Sequence, residues 1–176
     1  MTPELVLFDR DGTLVRDFPY NGDPAWIRPM DGAREALDRL RAHGIRVGVA
    51  MNQSAVARGL ITAAQVEACN ARLAELQRDG AVILSSHICF HRAEDGCACR
   101  KPAPGMVLAA CAELGVDPAR CVVIGDVAAD LESAAAAGAA AILVPTPVTR
   151  RQEVVAAARR ADDLAQAVDD VLAGRW

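Results

Sequence analysis

The stretch Leu5-Val6-Leu7-Phe8-Asp9-Arg10-Asp11-Gly12-Thr13-Leu14 joins an apolar run to two carboxylates two residues apart. The run reads as a buried strand over 4–9. Carboxylates at the end of such a strand are costly unless a cation or a reaction uses them. In open α/β sheets ligands bind beyond the carboxyl ends of the strands, which is where this pair falls. Gly12-Thr13 then allows a tight turn with backbone N–H groups facing an anion. The pattern points to metal-assisted phosphoryl transfer.

Outward from this stretch, strands alternate with helices. Residues 10–29 are rich in Gly, Pro, Asp and Asn and form a long loop beside the strand end, a substrate-gating position. Asp31 precedes a helix that Gly44 stops, with Ala33, Ala36, Leu37 and Leu40 at helical spacing. A second strand covers 45–50 and ends at Met51-Asn52-Gln53-Ser54. Thr62 and Gln65 form a capping box for a helix reaching about Asp79. A third strand covers 81–84, and Pro104 opens a helix that stops near Gly115. Cys121–Ile124 leads into Gly125-Asp126, the next helix carries Asp130 and stops at Gly138, and a strand over 140–144 precedes two amphipathic helices. This alternation implies an α/β fold in three layers, a mainly parallel sheet covered on both faces. The length of 176 residues suits one domain over 1–176, with only short insertions and no separate cap domain.

Composition narrows the function. Aromatic residues are only 3% of a chain that is 52% hydrophobic, so the core must be built from Ala, Val, Leu and Ile. The net charge of −4 and the lack of a basic block exclude nucleic acid as the main partner. No apolar stretch is long enough to span a bilayer and no signal-peptide pattern appears, so a cytoplasmic protein without membrane association is expected. Among 19 Lys and Arg residues, Lys101 alone is lysine, which marks it for chemistry that a compact ammonium performs and a guanidinium does not.

Four strand-end loops carry polar residues of distinct kinds: Asp9 and Asp11, Asn52 and Ser54, Arg100 and Lys101, and Asp126. Gathered at one sheet edge, they supply a nucleophile, a second carboxylate, donors, a cation and a further metal ligand. A second metal signal is independent. Cys89, His91, Cys97 and Cys99 place three thiols and one imidazole within eleven residues, a donor set for a closed, structural Zn²⁺ in an inserted loop 89–99. Such a site would stiffen the loop that delivers Arg100 and Lys101. Cys69, Cys111 and Cys121 are expected to be buried small hydrophobes, and His43 and His87 to be structural or solvent-facing.

From Leu5 to about Val144 the chain resembles the haloacid dehalogenase (HAD) superfamily of phosphatases, on the Asp-x-Asp-Gly-Thr motif at Asp9 and the residues above. The resemblance implies a Rossmann-like fold in which Asp9 is the nucleophile that forms an aspartyl phosphate and Asp11 is the general acid and base. It implies a catalytic Mg²⁺ held by the Asp9 carboxylate, the Asp11 carbonyl and Asp126, with Lys101 neutralising charge. The Cys/His loop running into Cys99-Arg100-Lys101-Pro102 is similar to that of the subfamily IIIA branch, which holds heptose 1,7-bisphosphate 7-phosphatases and histidinol-phosphate phosphatases. Asn52-Gln53-Ser54-Ala55-Val56-Ala57-Arg58-Gly59 favours the heptose group. A small phosphorylated sugar is then the expected partner, with Asn52, Ser54, Arg58 and Arg100 contacting it, and a monomer is expected.

Two departures stand out. Where the family carries Thr before this Asn, the chain has Met51, which cannot donate to a transferring phosphoryl group. A slower phosphatase is therefore expected; a catalytically impaired phosphosugar-binding protein is the alternative of another class. Ala55 stands in place of a Gly, which asks whether that turn needs a positive φ.

Overall fold

β1 (Leu5–Phe8), β2 (Arg46–Asn52), β3 (Ile83–Cys89), β4 (Cys121–Gly125) and β5 (Ala140–Leu143) form one parallel sheet in the order β3-β2-β1-β4-β5. The computed structural model describes residues 2–76 and 83–176. β1 is central: Leu5 lies opposite Arg46 on one side and Cys121 on the other, and Phe8 opposite Val49 and Ile124. Strand order reverses at β1, so a crevice opens beyond its carboxyl end between the loops of β1 and β4.

Alternation along each strand builds two apolar layers. Val6, Phe8, Val47, Val49, Met51, Val122 and Ile124 face α1 (Ala33–Ala42), α2 (Ala63–Leu76) and, near the C-terminus, a helix over Leu164–Leu172. Leu5, Leu7, Cys121 and Val123 face α3 (Gly105–Leu114) and α4 (Ala128–Ala137). A parallel sheet buried on both faces needs continuous apolar strands, and β1 and β4 are buried throughout. The core is aliphatic as its composition requires, with Phe8 the aromatic side chain among its largest members. Among the described residues no helix is long and apolar enough to cross a membrane.

Several local expectations are met. The Thr62–Gln65 capping box forms in both directions, the Thr62 N–H donating to Gln65 Oε1 at 2.8 Å and the Gln65 N–H to Thr62 Oγ1 at 3.2 Å. Cys69, Cys111 and Cys121 are buried. His43 bonds the Arg39 carbonyl, and His87 pairs with Glu113.

Others are corrected. The third strand was expected over 81–84; Ala81 and Val82 lie outside the described residues, as does the expected helix end at Asp79, and the described strand runs on to Cys89. Ser85, Ser86 and His87 interrupt its apolar run, but β3 is an edge strand and the Ser85 hydroxyl and the His87 ring both bond Glu113. The helix expected after Asp31 is present as α1; Gly32 holds its N-cap position without a side-chain cap, and Asp31 pairs with Arg16 at 3.0 Å. Of the two closing helices, α5 (Arg151–Ala156) buries no residue, whereas α6 (Leu164–Leu172) buries Leu164, Ala167, Val168 and Val171 along one stripe.

Candidate active site

The carboxyl ends of β1, β2 and β4, with the segment that follows the Cys/His loop, meet around Lys101. Its side chain is buried, and Nζ donates to Asp9 Oδ1 at 2.5 Å, Asp130 Oδ1 at 2.5 Å and the Ala50 carbonyl at 2.8 Å. Three donors meet three acceptors, which is the full capacity of an ammonium. Burial disfavours the charged lysine, but Asp9 and Asp130 outweigh it and hold the ammonium above its ordinary range.

The carboxylates shift upward as well, which for them is toward the neutral form. Burial raises the pKa of Asp9 well above the carboxylate range, against the pull of Lys101 and with a further push from Asp130. Burial, with Asp130 adding to it, lifts Asp126 to about 6. Of three buried carboxylates, Asp9, Asp126 and Asp130, the one ammonium thus bonds only Asp9 and Asp130. That surplus of desolvated negative oxygen is a donor set a hard divalent cation satisfies. Only glycine fits the turn that follows: a Cβ added to Gly12, which sits at φ +90°, would lie 2.4 Å from Asp126 Oδ2. The turn after Asp9 therefore passes directly against the Asp126 carboxylate. The Asp9 and Asp126 carboxylates are oxygen donors of the kind Mg²⁺ takes.

Asp126 is further tied from the loop after β5. Thr146 Oγ1 lies 3.4 Å from its Oδ2, and Thr149 Oγ1 donates to its backbone carbonyl at 2.7 Å. Asp130 enters from α4, four residues on, and fits because Gly125 has no side chain: a Cβ there would sit 2.2 Å from Asp130 Oδ2. The sequence pattern places Asp130 on its helix but not in the site. The available signal was a carboxylate one turn after Asp126 on an otherwise Ala-rich helix face.

Asn52 engages the backbone of Lys101. Its Nδ2 donates to the Lys101 carbonyl at 3.1 Å, and its Oδ1 accepts from the Lys101 N–H at 3.1 Å. The carboxamide thereby fixes the backbone that aims Lys101. Met51 is 1% exposed and packs in the core face of β2 with Val49 and Val66. Ala55 is buried and is not among the positive-φ residues, so its turn does not require a glycine; Tyr20, at φ 58°, is the non-glycine example among the described residues. Ser54 lies in the same turn, its carbonyl accepting from the Arg58 N–H. The Arg58 guanidinium reaches the Tyr20 hydroxyl at 3.3 Å, across to the 10–29 loop.

Cys89, His91, Cys97 and Cys99 converge, their ligand atoms all within 4.8 Å of one another. Cys89 Sγ is 3.7 Å from Cys97 Sγ and 3.2 Å from Cys99 Sγ, and His91 Nδ1 is 3.5 Å from Cys89 Sγ and 3.3 Å from Cys99 Sγ. Ligands about 2.3 Å from a tetrahedral ion lie roughly 3.7 Å apart, so the donors fit Zn²⁺. Burial and the neighbouring thiols push the Cys89 thiol up to about 12, a crowding of protons that thiolate coordination removes. The loop is tied to the rest of the site: Arg100 Nη1 donates to the His91 carbonyl at 3.1 Å, and the Arg92 guanidinium donates twice to the Ala57 carbonyl, at 2.6 and 3.2 Å.

The HAD-hydrolase-like family model matches residues 98–171. The chain is 41% identical over 138 residues to the D-glycero-beta-D-manno-heptose-1,7-bisphosphate 7-phosphatase of Pseudomonas aeruginosa, covering 76% of each chain. It is 37% identical over 136 residues to the enzyme of that name from Bordetella bronchiseptica, covering 75% of each. The crystal structure of the B. bronchiseptica D,D-heptose 1,7-bisphosphate phosphatase, complexed with magnesium and phosphate, superposes with a TM-score of 0.87 over 97% of this chain and 99% of that one, at 32% identity.

Proposed function

The chain belongs to the haloacid dehalogenase-like phosphatases, in the family of the heptose-bisphosphate 7-phosphatases, and from that premise we propose that it removes the 7-phosphate of a D-glycero-D-manno-heptose 1,7-bisphosphate. The observation that carries this reading is its likeness, along nearly its whole length, to a phosphatase of that substrate crystallised with magnesium and phosphate.

The residues divide the work. An Asp9 carboxylate oxygen attacks phosphorus, the ester P–O bond breaks, and Asp11 gives its proton to the departing sugar oxygen. Asp11 then takes a proton from the water that attacks the aspartyl phosphate, releasing inorganic phosphate and restoring Asp9. Lys101 holds Asp9 in place and offsets the charge gathered on the transferring group. Asp9, the Asp11 carbonyl and Asp126 would hold Mg²⁺, which would supply charge neutralisation between the anionic nucleophile and the phosphate. Asn52 aims Lys101, while Arg58 and Arg100 offer forks suited to the second, unreacted phosphate. Cys89, His91, Cys97 and Cys99 would hold a structural Zn²⁺, since four protein donors would leave no position for a reacting water.

The test is a parallel assay, with Mg²⁺, of heptose 1,7-bisphosphate and histidinol phosphate. A higher kcat/KM on the heptose bisphosphate is expected. A higher value on histidinol phosphate overturns the substrate, and no hydrolysis of either overturns the enzyme.

A further inference from the structure

Arg10 is 2% exposed, among the largest fully buried side chains of the protein. Two residues after Phe8, it continues the strand alternation toward the apolar layer beneath the sheet, where a charged side chain is costly unless its donors are satisfied. They are. Nε donates to Asp11 Oδ1 at 2.9 Å, Nη2 donates to Asp11 Oδ2 at 2.9 Å, and Nη1 donates to Asn70 Oδ1 at 2.8 Å. Asn70 is itself out of pattern. It lies on α2 beside the buried stripe of Val66, Cys69 and Leu73, where an apolar residue is the ordinary choice. The two departures from apolar patterning explain each other.

The Arg10 backbone serves the same turn. Its carbonyl accepts from the N–H groups of Thr13, Leu14 and Val15, so the turn that presents Asp11 closes on Arg10. The Asp11 side chain keeps 29% of its surface exposed while the Arg10 side chain keeps 2%. The fork therefore grips both carboxylate oxygens from below and leaves their remaining lone pairs open to the crevice.

We infer that Arg10, fixed by Asn70, is a positioning residue that sets the orientation of the Asp11 carboxylate for proton delivery to the leaving oxygen. This rests on the proposed acid–base role of Asp11. Arg10→Lys keeps the charge but loses the planar fork. Misplacing a reacting group by about 1 Å costs on the order of 100-fold, so Arg10→Lys is expected to lower kcat/KM on the sugar bisphosphate by about 10- to 100-fold. p-Nitrophenyl phosphate has a leaving group acidic enough to depart unprotonated. On it the same variant is expected to lose less than about threefold, because general-acid help is not needed there.

The experiment compares kcat/KM on both substrates, with Mg²⁺, for wild type, Arg10→Lys, Asn70→Ala and Asp11→Asn, each checked for folding by thermal unfolding. A loss confined to the sugar bisphosphate supports the inference; equal losses on both substrates, or none on either, overturn it. Should Arg10→Lys not fold, Asn70→Ala decides by the same asymmetry, expected in weaker form. Asp11→Asn separates the two levels. Wild-type turnover of the sugar bisphosphate by that variant defeats the acid–base role itself, whereas its inactivity beside an unimpaired Arg10→Lys defeats only the positioning.

Discussion

Lys101 Nζ lies 2.5 Å from Asp9 Oδ1, inside a pocket where it also meets Asp130 and the Ala50 carbonyl. One cation therefore answers two buried carboxylates from different elements. Removing one member of a buried ion pair costs about 3–5 kcal/mol, because the partner is left charged and uncompensated. Lys101→Met is expected to lose stability on that scale in urea unfolding and to lower kcat at least about 100-fold. Lys101→Arg is expected not to restore activity, since a planar fork cannot place three donors on these three acceptors. Wild-type kcat in either variant would contradict the role given to Lys101.

As a proposed Mg²⁺ ligand, Asp126 would link metal binding to pH. Its pKa is raised from 3.8 to about 6, first by burial and then by Asp130. A raised carboxyl pKa stabilises the folded protein at low pH, and that contribution is lost as pH rises through the folded value. Metal-free protein is thus expected to lose stability from this group between about pH 4 and about pH 6. Mg²⁺ is expected to raise Tm more at about pH 7.5 than at about pH 5, because it binds the ionised carboxylate. Equal shifts at the two pH values would contradict this arrangement.

The Cys/His loop is expected to carry about one zinc per chain after dialysis. Cys97→Ser should lower zinc occupancy and Tm together. KM for the sugar bisphosphate should rise, because Arg92 connects this loop to the Ala57 carbonyl and Arg100 connects to the His91 carbonyl. Elemental analysis showing full occupancy in Cys97→Ser would exclude the four-ligand site.

Met51→Thr separates a core position from a phosphate-binding one. Met51 packs among Val49, Val66 and their neighbours, so the smaller side chain should leave a cavity and cost about 1–3 kcal/mol. Because the side chain belongs to the core layer, kcat is expected not to rise. A several-fold gain in kcat would show that position 51 serves the phosphoryl group.

The sheet and the catalytic loops were legible in the sequence because strand-end chemistry follows from short, local patterns. An apolar run followed by Asp-Arg-Asp-Gly-Thr specifies both the strand and its exit, and Cys121–Ile124 before Gly125-Asp126 does the same for β4. The Cys/His cluster was legible because its four ligands lie close in sequence. Less visible was what depends on tertiary approach. Asp130 reaches Lys101 only because Gly125 and α4 bring it there, and Asn52 spends its amide on the Lys101 backbone, a contact across 49 residues. The length of β3 was hidden because its polar residues are satisfied by Glu113 of α3, which no local period reveals. Arg10, between the two aspartates, gave no local sign that Asn70 receives it.

The most direct test of Asp9 as nucleophile is mass spectrometry of protein quenched in acid during steady-state turnover of the sugar bisphosphate with Mg²⁺. A phosphoryl group on the peptide carrying Asp9 in wild type, absent from a folded and inactive Asp9→Asn variant, is the expected result. Sustained hydrolysis by Asp9→Asn, or turnover in wild type with the phosphoryl group trapped elsewhere, would contradict it.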